Sequence, residues 1–246
     1  MFLGAVWTKR LFDTTIETRR NVIFEGTMRV KDAISNTMER LRSDGYHVTA
    51  RVIAAHERQS IAGIHARFET QKLESGHGRM APIEVHDQAY IGMLDTVENI
   101  ELNSLADQIQ VFNRSGEVIH DAKLINGAWD KPGARASIEL ERARVPSIDE
   151  ARTLVSDWKH VFNLMDDRGA TAEEVSAARE IASTHIAEIY PILAAQEDMT
   201  LRVIDIQAAD SVAGKSFDPL IVTDEIEINS NKSQKKMRDN DASLER

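Results

Sequence analysis

Apolar positions over residues 1–122 alternate between two rhythms. Trp7, Leu11, Thr15 and Ile16 recur at helical spacing, and Asn21-Val22-Ile23-Phe24 follows as a short strand of buried type before Gly26 breaks the pattern. Ala33, Ile34, Thr37, Met38 and Leu41 mark a helix that stops at Gly45. Val48 and Arg51-Val52-Ile53-Ala54 make a second strand, and Ile61, Ile64 and Phe68 share one face of a third helix. A further helix runs from about Ile83 to Leu102, and Gln108-Ile109-Gln110-Val111-Phe112 is a third strand. Asn113-Arg114-Ser115-Gly116 is a good turn, so Glu117-Val118-Ile119-His120 pairs back as a hairpin. Strands separated by helices of this length predict an α/β fold, a parallel sheet with helices on both faces.

From about Lys131 the rhythm is helical. Ser147 and Glu150 form a capping box, and Leu154, Trp158, Phe162 and Met165 make one apolar stripe that ends at Asp166-Asp167-Arg168-Gly169. Thr171 and Glu174 cap the next helix, whose stripe is Val175, Ala178, Ala182, His185 and Ile189, up to Pro191. Two helices with a short loop predict an antiparallel hairpin. The expected organisation is an α/β domain over 1–145, a helical region over 146–210 and a polar, disordered tail over 211–246.

With 246 residues, 42% hydrophobic and 28% charged, the chain can bury a core as one large domain or one domain with an appendage. The net charge of −10 argues against binding nucleic acid or an anionic membrane, either of which needs a basic face. That charge is uneven. Residues 1–100 carry as many basic as acidic side chains, so the whole excess lies in the remainder. An Arg- and His-bearing neutral half can meet an anion that the acidic half would repel. Absence of cysteine excludes disulfide scaffolds, thiolate zinc sites and thiol nucleophiles. No apolar run is long enough to span a membrane, and Lys9, Arg10 and Asp13 interrupt the start too early for a signal peptide. The expectation is a soluble cytoplasmic protein.

Candidate chemistry concentrates in two places. In Phe24-Glu25-Gly26-Thr27-Met28-Arg29, an expected strand delivers three polar groups into the turn before a helix, where open parallel sheets bind ligands. Glu25 can accept from sugar hydroxyls, Thr27 can donate or accept, and Arg29 can grip phosphate with a forked pair of bonds. On spacing alone a plainer alternative stands: Thr27 caps a helix while Glu25 and Arg29 pair on the surface. The second place joins Arg67, beside the apolar face of its helix, to Arg79, which Gly76 and Gly78 allow to turn back. Two converging arginines suit a transferred phosphoryl group. Here the plainer alternative pairs Arg67 with Glu69 or Glu74 and leaves Arg79 solvated.

His86-Asp87 reads as capping and packing, and no metal constellation has defensible spacing. Ala209-Asp210-Ser211-Val212-Ala213-Gly214-Lys215-Ser216 imitates a phosphate-binding loop. Pro219 falls where the required helix would start, so the match is read as coincidence.

Taken in order, these segments resemble the second half of a zeta-toxin kinase over about residues 5–145. The resemblance rests on Arg20-Asn21-Val22-Ile23-Phe24-Glu25-Gly26-Thr27-Met28-Arg29, Asp44-Gly45-Tyr46-His47-Val48, Arg67-Phe68-Glu69, Arg79 with Pro82 and His86-Asp87, and Gln110-Val111-Phe112-Asn113-Arg114-Ser115-Gly116. It implies a P-loop kinase-like fold that moves the γ-phosphate of ATP, with Mg, to UDP-N-acetylglucosamine or a similar nucleotide sugar. Glu25, Thr27 and Arg29 would belong to the sugar-nucleotide site, and Arg67 and Arg79 would contact ATP phosphates in catalysis. The resemblance also implies a possible antitoxin partner. In the family the Walker A loop and the acid that activates the acceptor hydroxyl precede the Glu-Gly-Thr segment. The residues before Glu25 contain neither, since Lys9 is followed by Arg10. The expectation is therefore an amino-terminally truncated member whose sheet lacks the Walker strand and whose catalysis is weak or absent. The alternative is a non-catalytic interaction module that keeps the fold to bind an antitoxin or a partner domain.

Overall fold

A computed structural model describes residues 3–194. The features expected over 195–246, including the tail and the Ala209–Ser216 segment, lie outside the described residues. Contacts divide the chain into two compact units, one of residues 1–145 with 160–170, the other of 146–159 with 171 onward.

In the first unit the order is α1 (Leu3–Glu17), α2 (Lys31–Ser43), β1 (Thr49–Ile53), α3 (Glu57–Ser75), α4 (Ile83–Leu102), β2 (Gln108–Phe112), β3 (Val118–Ile125), β4 (Ala128–Trp129) and α5 (Ala134–Ala143). It is a mixed α/β arrangement, a four-stranded sheet in the order β1-β2-β3-β4 flanked by helices. β1 and β2 are parallel, with Thr49 opposite Gln108 and Ile53 opposite Phe112. The α3–α4 crossover between them supplies the length that parallel pairing requires. β3 returns antiparallel to β2 across the Asn113–Gly116 turn, as the turn residues predicted, with a register shift at Val111/Phe112. β4 closes a two-residue hairpin in which Asn126 (φ 52°) and Gly127 (φ 82°) both take the left-handed conformation that matches strand twist.

Two expectations are corrected. The sheet is parallel only across β1–β2. No strand forms over Asn21–Phe24; residues 20–30 have no regular structure and Ile23 is 91% exposed. A strand needs a ladder partner, and nothing among the described residues offers one there.

The core lies on one face of the sheet. Ala50 and Val52 from β1 and Ile109 and Val111 from β2 meet Met93, Val97 and Ile100 of α4 and Ala134 and Ile138 of α5. Period-two burial on the strands explains the choice, since Arg51 and Gln110 occupy the intervening positions and hydrogen-bond on the opposite face (Nε to Oε1, 3.1 Å). α2 adds Ile34, Met38 and Leu41, all only partly buried. Glu101 ties α4 to α5: its carboxylate accepts from the Gly133 amide (2.7 Å) at the start of α5, and its carbonyl accepts from the Trp129 indole (2.8 Å).

Further on come α6 (Ile148–Asp167) and α7 (Ala172–Ala194). Both predicted capping boxes form reciprocally. Ser147 and Glu150 exchange bonds of 2.7 and 3.2 Å, and Thr171 and Glu174 exchange bonds of 3.0 and 3.2 Å. α7 continues through Pro191 to Ala194 instead of stopping there. In the second unit Trp158 packs with its ring centroid 6.0 Å from that of His185.

Candidate functional site

The carboxyl ends of β1 and β2, where a parallel pair presents ligands, lead respectively into α3 and into the turn that holds Arg114. α3 starts at His56, whose ring accepts from the Arg58 amide, and ends at Gly76 in the left-handed conformation (φ 74°). Past Gly76 the chain folds back. The Arg79 amide donates to Gln71 Oε1 (3.0 Å), and Gly78 lies so close that a Cβ there would meet the Phe68 carbonyl at 2.6 Å. Only glycine permits that approach.

Gly63, Arg67 and Gln71 are spaced four apart and therefore share a face of α3. Arg79 is anchored at Gln71. At the other end Arg114 Nη2 lies 3.6 Å from the position a Cβ would take on Gly63. Arg67 thus lies on the face whose Gln71 anchors the Arg79 backbone and whose Gly63 is approached by the Arg114 guanidinium. All three are exposed, and none has a carboxylate partner among the described residues. The Glu69 that could have neutralised Arg67 is instead buried and paired with Arg168, through Nε and through Nη2 (3.2 Å). Arg114 was missed by the sequence reading, which saw only its turn; the signal would have been a cation two residues beyond the end of a parallel strand.

The segment carrying Glu25, Thr27 and Arg29 is held elsewhere, against the middle of α4. Thr96 donates to the Met28 carbonyl (2.7 Å), Met28 has φ 52°, and a Cβ on Gly92 would fall 2.7 Å from the Arg29 carbonyl. Pinning the backbone leaves all three side chains exposed. The plainer alternative does not form, because α2 is preceded by Val30 with no side-chain cap and Glu25 and Arg29 make no ion pair. No hydrogen bond or ion pair joins the two sets of site residues. α4 links them: two residues before Gly92, the Tyr90 hydroxyl donates to the Ala55 carbonyl (3.2 Å) just beyond β1.

His86 is buried between α3 and α4, with Nε2 3.0 Å from Ser60 Oγ and Nδ1 2.9 Å from Asp87 Oδ1, and stacks on Tyr90 at 5.6 Å. The Arg142 guanidinium lies 3.6 Å from the centre of the Tyr90 ring. Burial raises the Tyr90 phenol above its ordinary value and lowers the Arg142 guanidinium below its own. No group of three or more His, Cys, Asp or Glu that could hold a metal occurs among the described residues. No helix among them is long and apolar enough to cross a membrane.

The zeta-toxin family profile matches residues 4–125, a stretch that contains Glu25, Thr27, Arg29, Arg67, Arg79 and Arg114. Residues 4–125 belong to the zeta-toxin family. The chain is 27% identical over 106 residues to Toxin PezT of Streptococcus pneumoniae, covering 43% of this chain and 42% of that one. It is likewise 27% identical over 103 residues to Toxin zeta of Enterococcus hirae, covering 42% and 36%. The chain thus spans about two fifths of the length of these curated relatives. A solved chain of the PezAT chromosomal toxin–antitoxin system of Streptococcus pneumoniae superposes with a TM-score of 0.53 and 17% identity, covering 64% of this chain and 62% of that one. The superposition shows that the fold is shared.

Proposed function

We propose that the zeta-toxin segment is the phosphate- and acceptor-binding part of a phosphotransferase, acting between ATP and a nucleotide sugar of the UDP-N-acetylglucosamine kind. The observation that carries this reading is that Arg67 on α3, Arg79 in the loop after it and Arg114 in the turn after β2 are all exposed and have no carboxylate partner among the described residues. Fixed cations without carboxylate partners can neutralise the charge that develops on a transferred phosphoryl group. In this reading Arg67 and Arg79 hold the β- and γ-phosphates of ATP and Arg114 adds a third cation. Glu25 accepts from sugar hydroxyls, while Thr27 and Arg29 bind the nucleotide sugar's polar groups and diphosphate.

The described residues fit ATP as an anion but do not fit Mg, for want of a carboxylate cluster, so the metal would arrive with the nucleotide. Every lysine among them is followed by something other than Ser or Thr, so they offer no Walker lysine either. The described residues would therefore bind nucleotide with little turnover of their own. Family membership and the toxin–antitoxin origin of the structural relative support an antitoxin-like protein as partner.

Calorimetric titration with Mg-ATP tests the reading. Saturable binding weakened about tenfold by Arg67→Ala or Arg79→Ala is expected for loss of one charge-assisted contact. Absence of binding by a chain that melts cooperatively would overturn it.

A further inference from the structure

The hydroxyls of α3 do not all bond alike. Thr70 and Ser75 donate back to the carbonyls four residues earlier, Ala66 (2.9 Å) and Gln71 (2.8 Å), as hydroxyls within helices commonly do. Ser60 turns instead toward α4, where its Oγ lies 3.0 Å from His86 Nε2. The other ring nitrogen, Nδ1, lies 2.9 Å from Asp87 Oδ1. These two contacts fix the direction of each hydrogen. A carboxylate only accepts, so Nδ1 carries the imidazole hydrogen. A neutral ring then has a bare Nε2, to which the Ser60 hydroxyl donates. Ser60, His86 and Asp87 thus stand as hydroxyl, general base and the carboxylate that orients the base.

The base is also held rigidly. His86 is 7% exposed and its ring stacks on Tyr90 with 22° between the planes. Tyr90 is itself fixed, by Arg142 over its ring and by the Ala55 carbonyl at its hydroxyl. Ser60 is only partly buried, so its oxygen can be reached.

The neighbours of Ser60 determine what it would attack. Seven residues on, Arg67 returns to within about 20° of the same direction around α3, about 10 Å along the axis. Between them is Gly63, where Arg114 Nη2 lies 3.6 Å from the position of a Cβ. Two of the cations assigned above to phosphate therefore lie within two helical turns of the hydroxyl. We propose that Ser60 is a phosphoryl acceptor, modified by the γ-phosphate of a nucleoside triphosphate bound at these arginines. The bond from Ser60 Oγ to the γ-phosphorus forms as the bond from that phosphorus to the bridging oxygen breaks. The hydroxyl proton passes to His86 Nε2, the imidazolium pairs with Asp87 until it yields the proton to water, and the nucleoside diphosphate leaves. A single transfer within the chain needs no repeated turnover. The product carries up to about two negative charges one helical turn from Gly63, where they would pair with Arg114 and close the site to further nucleotide. The donor rests on the phosphate-site reading above, whereas the activation of Ser60 does not.

Two probes separate these parts. The full chain is incubated with Mg-ATP and, in parallel, with diisopropyl fluorophosphate, which labels an activated serine without a nucleotide site. Peptide mass spectrometry then locates the modified residue. Both labels should map to Ser60 and vanish in Ser60→Ala. His86→Gln should slow both by about a hundredfold or more, the usual share of a general base. Asp87→Asn should slow both and Asp87→Glu restore the rate; these carry the test of the base if His86→Gln fails to fold. Failure of both probes to label Ser60 overturns the proposal. Labelling by the fluorophosphate alone, in a chain shown by calorimetry to bind Mg-ATP, overturns the nucleotide as donor. Labelling by the fluorophosphate in a chain that binds no Mg-ATP also overturns that donor, but through failure of the phosphate site, with the activation of Ser60 upheld.

Discussion

Glu69 and Arg168 offer the sharpest test of how the arginine row is held. Glu69 is 2% exposed, and the Arg168 side chain, in the turn after α6, is 11% exposed. Glu69 lies two residues after Arg67, so its side chain points about 200° around α3 from it. Fixing the rear of the helix through Glu69 determines which way Arg67 faces. Arg168→Ala strands a buried carboxylate, a loss of about 3–5 kcal/mol. For a unit of this size, where 1 kcal/mol shifts the melting temperature by about 2–4 °C, the fall should be roughly 6–20 °C. Glu69→Gln keeps the shape and removes the charge, at a smaller cost of about 1–3 kcal/mol. Urea denaturation of both single variants and of Glu69→Gln/Arg168→Ala isolates the pair from the other contacts each residue makes. The double variant should lose less than the sum of the singles by more than about 1 kcal/mol. A loss below about 1 kcal/mol for Arg168→Ala, or strict additivity, would refute the claim that a buried ion pair anchors α3.

Three further outcomes are expected. Gly78→Ala drives a Cβ into the Phe68 carbonyl, so the loop must move, costing about 1–3 kcal/mol by thermal melt. Mg-ATP affinity should fall as Arg79 leaves the row, and unchanged affinity would detach Arg79 from the site. Gly92→Ala should destabilise the fold in the same assay although alanine is the better helix former by about 1 kcal/mol, because its Cβ meets the Arg29 carbonyl. UDP-N-acetylglucosamine binding, measured by calorimetry, should weaken with it. In a difference titration against Tyr90→Phe at 295 nm, Tyr90 should ionise above the ordinary phenol range, because burial disfavours the phenolate. Its folded pKa is raised above the unfolded one, so the stabilising contribution is complete below the unfolded pKa and disappears as pH rises through the folded one. Tyr90→Phe should flatten that alkaline loss.

The legible parts of this chain are those whose cause is local. Ser147 with Glu150 and Thr171 with Glu174 announce reciprocal caps three residues apart, and both formed. The turn at Asn113–Gly116 dictated the β2–β3 hairpin, and the strand expected over Gln108–Phe112 forms as β2. Arg67 and Arg79 were recognised as candidates because glycines between them permit a sharp return, and the structure does anchor Arg79 one turn from Arg67. What spacing could not supply is partner choice at long range. Glu69 was read as a neighbour for Arg67 on the same helix, yet its partner lies ninety-nine residues away at Arg168. Gly63 gave no sign that Arg114 would lie over it. Glu101 gave none that it would hold the amides at the start of α5.

The misread strand at Asn21–Phe24 has a different cause, and it bears on the whole fold. Val22-Ile23-Phe24 has every local property of a strand, but strand propensity expresses fit to a pleated, partly buried surface and not an intrinsic preference of the backbone. Its side chains remain exposed across an apolar groove from the edge of β1, which has the same want of a partner. Residues 21–24 therefore stay irregular, and what fixes the segment lies further along, where Thr96 donates to the Met28 carbonyl.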